Sequence, residues 1–331
     1  MMEWSKMRVA LVQVPPRFLN LEESLNLAET LVAKAVEEGA ELVVFPETWL
    51  PGYPVWLDNS PGAALWDSPG ARSLYGILHG NSLELGSPAL GRMIKWCKIH
   101  QIYLVMGCHE RVGKTLYNSQ LFLSPRDGEW FCRRKIMPTY NEKLIWGQGD
   151  GRGLRVLDSP AGPLGGLICW EHWMPLARAA MHGLQEVIHV AQWPSVNELH
   201  QLASRHYAFE GSCFVLASGT VLSRGDVLEG FDSLGLLDGG GARAMLEATA
   251  PRDRDLLMTG GSCVIGPDAG FIQEPVFNES RLIYADIDPA QMVETGMLMD
   301  SQGHYSRPDI FSLQVNRRPM EGVRFSMEDL A

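Results

Sequence analysis

The amino-acid sequence predicts a mixed α/β sandwich, in which helices cover packed sheets. Short, almost wholly apolar runs, typical of buried strands, alternate with longer runs whose apolar residues have helical spacing. Some neighbouring strands are joined by turns, which indicates sheets with parallel and antiparallel pairs. The chain has 331 residues, of which 46% are apolar, so it can bury a large core.

The first strand and helix are expected at residues 9–14 and 21–36. Asn20 is a suitable helix N-cap, an acidic residue stands at the third helical position, and Gly39 suits the helix C-terminus. Apolar residues recur at helical spacing between these caps. One face of this helix is therefore expected to pack on a sheet.

A second strand at residues 42–45 leads into the loop that carries Glu47. Open α/β sheets place their active sites at the carboxyl ends of strands. A glutamate in apolar surroundings has a raised pKa and can act as a general base, although an exposed loop carboxylate is the alternative. Residues 58–90 are expected to be irregular, with one helix near 71–79.

A helix at residues 91–100 precedes strands at 102–107 and 119–123, which a turn at Gly113 joins. Residues 107–115 differ from a phosphate-binding loop, because their glycines are one residue too far apart and no periodic helix follows. This stretch is therefore interpreted as a hairpin.

Lys135 lies in a basic segment and is followed by the sequence Ile-Met-Pro. This apolar stretch would hold the ammonium beside apolar surface, where it can act as an electrostatic clamp or proton donor. A solvated, charged face is the alternative interpretation.

Cys169 ends a strand-like run at residues 164–168, and residues 174–183 have the pattern of a helix with Pro175 in its first turn. Backbone N–H groups and a helix dipole near such a thiol would stabilise a thiolate. A buried structural cysteine is equally compatible with this stretch alone.

The second half of the chain continues the alternation. Strands are expected at 187–192, 214–218, 262–265 and 282–287, and helices at 197–211 and 289–298. Residues 235–241 and 242–258 are expected to form a surface loop with a short helix.

Composition limits the partners of the protein. A net charge of -11 and a pI near 5.3 argue against binding to nucleic acid or to an acidic membrane. The six cysteines form no C-x-x-C pair, so neither a zinc site nor a disulfide framework is expected. The N-terminal residues do not resemble a signal peptide, and a cytoplasmic location is expected. Small molecules and copies of the same chain are the expected partners.

Four motifs spread over residues 45–309 together resemble the nitrilase branch of the carbon–nitrogen hydrolase superfamily. They are Phe45-Pro46-Glu47 with Pro51-Gly52-Tyr53-Pro54, Arg134-Lys135 with Pro138-Thr139, Glu142 and residues 146–151, the run from Cys169 to Leu176, and the run from Gly303 to Asp309. Arg133 departs from the pattern, since many nitrilases carry a histidine there. We expect this change to alter local packing and not the chemistry.

The resemblance implies a fold of the α/β class, a four-layer α-β-β-α sandwich of the nitrilase type. Residues 1–331 would form a single domain with a short tail from about 310. It also implies a catalytic triad of Glu47, Lys135 and Cys169 supported by Glu142, without a metal or a cofactor. A homo-oligomer, either a dimer or a larger assembly that in this family often continues into a spiral, would form through faces of the sandwich.

Nitrile hydrolysis to a carboxylic acid and ammonia, with amide as by-product, is the activity that this resemblance implies. Four aromatic residues lie beside the motifs and could wall a pocket for aromatic or arylaliphatic nitriles, with a place in the core as the alternative: Tyr53, Trp146, Trp170 and Trp193. His172 and His304 are expected to make packing hydrogen bonds, because Glu47 already supplies the base.

Other functions remain open on the sequence alone. An amidase or N-carbamoyl hydrolase would share the triad, as would a cyanide hydratase, and a catalytically silent assembly protein would share the sandwich. A serine hydrolase is disfavoured because the sequence has no Gly-x-Ser-x-Gly motif. The lack of clustered His and Cys ligands disfavours a metalloenzyme.

Overall fold

Two mixed β-sheets pack face to face in the computed structural model, which describes residues 4–236, 239–251 and 255–320. Strands are numbered along the chain. The first sheet has the order β13-β1-β2-β3-β4-β5 and comprises β1 (Met7–Val12), β2 (Leu42–Val44), β3 (Tyr103–Val112), β4 (Thr115–Leu123), β5 (Trp130–Arg134) and β13 (Leu282–Ile287).

The second sheet has the order β10-β11-β9-β8-β7-β6, with β12 paired to β11. Its strands are β6 (Leu157–Ser159), β7 (Gly162–Ile168), β8 (Ile188–Gln192), β9 (Phe214–Ser218), β10 (Val221–Ser223), β11 (Leu256–Ile265) and β12 (Phe271–Phe277). The neighbours β7, β8 and β9 run parallel, so their carboxyl ends meet at one edge of the sheet.

Helices cover the outer faces of both sheets and one end of the sandwich. They are α1 (Leu21–Glu37), α2 (Trp56–Asn59), α3 (Pro69–Gly80), α4 (Pro88–His100), α5 (Pro175–His182), α6 (Glu198–Gly211), α7 (Arg224–Asp232), α8 (Ala242–Glu247) and α9 (Gln291–Gly296). Short 3₁₀ turns occupy Tyr140–Leu144, Gly151–Gly153, Cys169–Trp173 and Gly239–Gly241.

Alternate residues of each strand point to opposite faces of its sheet, and this produces the four layers. In β1, Val9 and Leu11 face the second sheet, whereas Ala10 and Val12 face α1 and α4. In β8, Ile188 and Val190 belong to the core between the sheets, and residues on the opposite face pack under α5 and α6. The predicted four-layer α-β-β-α sandwich is therefore confirmed.

The first predicted helix shows how closely the local signals agree with the structure. Asn20 accepts a hydrogen bond from the Glu23 backbone N–H at 3.1 Å, as an N-cap should. Gly39 has a φ of +83°, which favours glycine at the end of a helix. Gly113 likewise occupies the β3–β4 turn, so the hairpin interpretation of residues 107–115 is confirmed.

The structure corrects several predicted boundaries. β11 begins at Leu256, so the end of the predicted surface loop at 242–258 belongs to a strand. Positive φ angles at Gly260 and Gly261 and shifts in register interrupt the apolar alternation there. The predicted helix at 289–298 is shortened to α9, and the predicted irregular stretch 58–90 also holds part of α2 and the first turn of α4. Strands β5, β6, β10 and β12 and helix α7 were not predicted.

Residues 311–320, at the start of the predicted tail, contain neither helix nor strand. The rest of that tail, residues 321–331, lies outside the described residues. No helix in the described part of the chain is long and apolar enough to cross a bilayer.

Candidate active site

The predicted triad residues each follow a strand. Glu47 lies just beyond β2, Lys135 directly follows β5, and Cys169 directly follows β7. The first two side chains come from one sheet and the third from the other. Because the two sheets pack face to face, all three side chains meet between strand ends.

Gly107 permits the loop of Glu47 to approach β3. A Cβ atom at Gly107 would lie only 1.9 Å from the carbonyl oxygen of Pro46. The two segments are also hydrogen-bonded, since the Leu50 N–H donates to the Gly107 carbonyl at 3.0 Å. A side chain at Gly107 would therefore displace the loop that carries Glu47.

Lys135 lies between two buried glutamates. Its Nζ is 2.8 Å from Glu47 Oε1 and 2.7 Å from Glu142 Oε2. All three side chains are buried, so these charge-assisted hydrogen bonds are shielded from water. The structure thus brings together three of the four residues predicted to be catalytic.

Two further residues complete this arrangement. Asn118 donates to Glu47 Oε1 at 2.7 Å, and the Tyr53 hydroxyl donates to Glu142 Oε1 at 2.9 Å. We call Glu47, Lys135, Glu142, Asn118 and Tyr53 the charged cluster. Glu47 Oε1 accepts from both Lys135 and Asn118, whereas the buried Oε2 has no hydrogen-bond partner among the described residues.

Cys169 faces the charged cluster from the second sheet. Its Sγ and carboxylate oxygens of Glu47 and Glu142 all lie within 4.8 Å of one another. Cys169 is buried and has a φ of +49°, in the left-handed region. Such a conformation is costly for a residue with a side chain and is often found at functional sites.

The protonation states follow from burial and from neighbouring charges. Burial raises the pKa of Glu47 to about 7, although Lys135 opposes the shift. Burial alone would lower the pKa of Lys135, but the facing Cys169, Glu47 and Glu142 raise it, so the ammonium is retained. The expected raised pKa of Glu47 is confirmed.

The expected stabilised thiolate at Cys169 is not found in this resting arrangement. Burial raises the pKa of the Cys169 thiol well above its usual value, and Lys135 and the Trp170 backbone N–H only partly offset the effect. The helix dipole contributes little, because the 3₁₀ turn Cys169–Trp173 separates the thiol from α5. A neutral thiol of this kind needs a base at the moment of attack.

A cavity of about 240 Å³ opens above Cys169. Its lining is partly apolar and partly polar, and comprises Tyr53, Val55, Asp58, Asn59, Cys169, Pro194, Ser195, Asn197, His200, Leu257 and Met258. Of the four aromatic residues predicted to contact substrate, the structure brings Tyr53 to this cavity.

The three tryptophans of that prediction lie elsewhere. Trp193 is fully buried and stacks on His172 and His200, with ring centroids 4.6 and 4.4 Å apart. Trp146 is buried behind Tyr53, and the partly exposed Trp170 packs edge-on against Trp173. Aromatic residues have much area to bury, and packing buries Trp193 and Trp146 without a place in the lining, whereas Trp170 stays 43% exposed.

His109 links two loops of the site, a contact that sequence reasoning missed. The Trp146 indole N–H donates to His109 Nδ1 at 3.0 Å, so Nε2 carries the proton that is donated to the Gly52 carbonyl at 3.0 Å. Burial lowers the pKa of His109 to about 4, which keeps the ring neutral. The bond to Gly52 holds the loop of Tyr53.

A buried ion pair joins the segments of Lys135 and Cys169. The two terminal N–H groups of Arg133 donate hydrogen bonds to the Glu171 carboxylate, at 2.8 and 2.7 Å. Glu171 also accepts the backbone N–H groups of Ile136 and Ile168, both at 2.6 Å. Burial would raise the pKa of Glu171, but Arg133 and these N–H groups lower it. Arg133 thus joins the segments of Lys135 and Cys169 through Glu171, which is a packing role. That the change leaves the chemistry unaltered stays a prediction.

The motif from Gly303 to Asp309 is not part of this arrangement of side chains. His304 is exposed beside Asp300, and Arg307 forms an exposed ion pair with Asp309. His172, by contrast, is buried and makes a hydrogen bond to the Cys169 carbonyl, in agreement with the expected packing role.

Comparison with known proteins assigns the chain to a family. The model of the carbon-nitrogen hydrolase family matches residues 8–297. A nitrilase of Pseudomonas syringae pv. syringae (strain B728a) is 36% identical over 327 residues, covering 95% of this chain and 90% of the relative. This chain belongs to the nitrilase branch of the carbon-nitrogen hydrolase family. It is a hydrolase of carbon–nitrogen bonds.

Other nitrilases show similar likeness. An aliphatic nitrilase of Rhodococcus rhodochrous is 35% identical, with 98% of this chain and 83% of the relative covered. A bifunctional nitrilase/nitrile hydratase of Lupinus angustifolius is 33% identical, with 96% and 88% covered.

Solved structures of this family share the fold. The Caenorhabditis elegans NitFhit protein superposes with a TM-score of 0.67 at 16% identity, covering 98% of this chain and 71% of that one. A CN-hydrolase superfamily protein from Xanthomonas campestris superposes with a TM-score of 0.64 at 16% identity, covering 90% and 96%.

Proposed function

We propose that this protein is a nitrilase in which Cys169 is the nucleophile, Glu47 the base, Lys135 the electrostatic clamp and Glu142 the support of Lys135. One observation carries the proposal: Lys135 bridges two buried glutamates whose oxygens lie within 4.8 Å of the Cys169 sulfur. The product is a carboxylic acid and ammonia. The relatives named as nitrilases support the choice of substrate.

Glu47 takes the thiol proton as sulfur attacks the nitrile carbon. Oε2 is the suitable oxygen, because Oε1 already accepts from Lys135 and Asn118. A pKa of about 7 allows Glu47 both to accept and to return a proton near neutral pH.

Lys135 stabilises the charge that develops on the nitrile nitrogen. An ammonium has three N–H donors, and Glu47 and Glu142 occupy two of them, so one is available to substrate. The Trp170 backbone N–H is the second donor. Proton transfer to nitrogen gives a thioimidate on Cys169.

Water then adds to the thioimidate with Glu47 as base. Loss of ammonia from the tetrahedral adduct leaves a thioester, and a second water releases the acid and restores the thiol. If the adduct expels the Cys169 thiolate instead, the product is an amide. The name of the bifunctional Lupinus relative supports this by-product.

The cavity supports aromatic or arylaliphatic nitriles as substrates. Tyr53, Val55, Leu257 and Met258 offer an aromatic and apolar wall, and Cys169 lies in the same cavity. Trp146 contributes by packing edge-on against Tyr53, with ring centroids 5.8 Å apart.

Self-association is part of the proposal. Helices α5 and α6, on the second sheet's outer side, carry the exposed Leu176, Leu199 and Leu202, and we propose that these side chains belong to one apolar surface. We propose that residues 1–331 act as one domain and that this surface joins two copies in a dimer or a larger, spiral assembly. Leu199→Lys with Leu202→Lys should lower the mass measured by light scattering, whereas an unchanged mass would contradict this interface.

The test of the activity is ammonia release from phenylacetonitrile, an aliphatic dinitrile, cyanide and the matching amides, with the organic products identified. We expect ammonia and acid from nitriles, little turnover of amides, and none in Cys169→Ala. Turnover confined to amides would indicate an amidase. Conversion of cyanide alone, to formamide without ammonia, would indicate a cyanide hydratase, and no turnover at all a silent assembly protein.

A further inference from the structure

A buried chain of hydrogen bonds leads away from the Cys169 backbone carbonyl. His172 Nδ1 lies 2.8 Å from that oxygen, and His172 Nε2 lies 3.0 Å from His189 Nε2. His189 Nδ1 is 3.0 Å from Glu186 Oε2, and the Tyr207 hydroxyl donates to the same carboxyl group. We call His172, His189, Glu186 and Tyr207 the histidine chain, and all four are buried.

With both histidine rings neutral, the bonding geometry fixes where the protons lie. A carbonyl oxygen can only accept, so His172 Nδ1 carries a proton. In a neutral ring His172 Nε2 is then an acceptor, and His189 Nε2 must donate to it. His189 Nδ1 is left to accept from Glu186, which requires a protonated carboxyl group. The chain thus has one consistent direction, from Tyr207 to the Cys169 carbonyl.

The surroundings favour this neutral arrangement. Burial lowers the pKa of both His172 and His189 well below the usual value for histidine. Burial also raises the pKa of Glu186 to about 7, so its carboxyl group keeps a proton far more readily than an exposed glutamate.

Packing holds the rings in place. His172 stacks on Trp193 with centroids 4.6 Å apart, and His189 stacks on Tyr207 at 3.7 Å. His189 is also fixed by its strand, since β8 pairs in parallel with β7, which ends at Cys169. Trp193 therefore packs against the histidine chain and does not line the cavity.

The carbonyl that His172 holds belongs to the peptide unit whose other end is the Trp170 N–H. A peptide unit is planar, so fixing its oxygen also fixes the direction of its N–H. That N–H interacts with the Cys169 sulfur and stabilises its thiolate. Cys169 has a φ of +49°, a conformation that needs outside support.

We propose that the histidine chain is a positioning device that orients the Cys169–Trp170 peptide unit and thereby aims the Trp170 N–H at the reacting atoms. The inference rests on the proposed nucleophilic role of Cys169. It assigns no proton transfer to the histidines. Their contribution is the orientation of one donor.

The test is the rate at which iodoacetamide alkylates Cys169, followed by mass spectrometry of the peptide that contains it. His172→Phe keeps a ring against Trp193 but cannot donate to the carbonyl. In this variant the Trp170 N–H is no longer held towards the sulfur, so the pKa of the Cys169 thiol should rise. Alkylation at neutral pH should then slow by about tenfold, because less thiolate is present. The same variant should lower kcat and leave KM nearly unchanged.

Two matched variants separate orientation from general packing. Glu186→Gln can donate its amide to His189 Nδ1 and accept from Tyr207, so it should alkylate close to the wild-type rate, whereas Glu186→Leu should slow. This pair also serves if His172→Phe does not fold. His182→Phe is the control, because His182 is buried against Tyr207 but bonds to Glu210 outside the chain.

A wild-type alkylation rate in His172→Phe, equal rates in the two Glu186 variants, or equal slowing in His182→Phe would overturn the proposal. Alkylation does not require nitrile turnover. If the wild-type protein alkylates as described but turns over no nitrile, the proposed function fails and the positioning role stands.

Discussion

The charged cluster and the histidine chain approach Cys169 from opposite sheets and differ in kind. The charged cluster holds an ammonium between two carboxylates, with hydrogen bonds of 2.7–2.9 Å. The histidine chain is a series of hydrogen bonds between neutral side chains, and it ends on the Cys169 backbone carbonyl. In our proposal, the charged cluster moves protons and stabilises charge, whereas the histidine chain holds a peptide unit in place. Because burial raises the pKa of the Cys169 thiol, we infer that its reaction needs both.

The largest expected effect comes from the charged cluster. Glu47→Gln preserves the volume and the hydrogen bond from Asn118 but removes the base, so kcat should fall by about 10³-fold or more. Steady-state kinetics measure the loss, and Asn118→Ala, which removes one bond to Glu47, should lose much less. Retention of kcat in Glu47→Gln would assign the base to another group.

Arg133→Met tests the link between the two sides. Removing Arg133 leaves Glu171 buried and unpaired, so the free energy of unfolding should fall by about 3–5 kcal/mol. Urea denaturation measures it. Adding Glu171→Gln should recover part of the loss, because the double variant leaves no unpaired buried charge at this position. A loss below about 1 kcal/mol in the single variant would show that the ion pair is not important for the fold.

The pH dependence of kcat/KM distinguishes the charged cluster from the histidine chain. Glu47 in the first and Glu186 in the second both have a pKa of about 7. Below this pH Glu47 holds a proton and cannot accept another from Cys169, so kcat/KM should fall about tenfold per pH unit. The fall should persist in Glu186→Gln. If that variant abolished it, the histidine chain would control the titration and our assignment would be wrong.

Tyr53→Phe should have the smallest effect. It removes the 2.9 Å hydrogen bond to Glu142 without emptying the space that the ring fills. A bond to a charged group contributes about 1.5–3 kcal/mol, of which only part bears on the reaction, so kcat should fall by about tenfold. A kcat for Tyr53→Phe equal to that of the wild-type protein would show that the hydroxyl does not contribute to the reaction.

The features that could be predicted from the sequence are those set by residues close together in the chain. The almost wholly apolar runs of β1 and β2 and the N-cap at Asn20 identified elements, and the apolar runs before Glu47 and Cys169 placed these two residues at strand ends. These signals act within a few residues along the chain. The resemblance of four motifs then gave the layers of the sandwich.

What sequence could not predict arises between distant segments. The bond from Tyr53 to Glu142 spans 89 residues, and that from Arg133 to Glu171 spans 38. Burial also decided the placement of Trp193, since an aromatic residue at a strand exit suits a pocket and a core equally well. The raised pKa of Cys169 has the same origin, because the degree of burial is a property of the folded chain.

The most direct test of the account is to capture the covalent intermediate. The protein would be mixed with phenylacetonitrile, quenched in acid within the first turnovers, and digested for mass spectrometry. We predict that the peptide containing Cys169 carries the acyl group of the substrate as a thioester, and that Cys169→Ala neither forms an adduct nor releases ammonia. Turnover of the nitrile by Cys169→Ala, or an acyl group on another residue, would contradict the account.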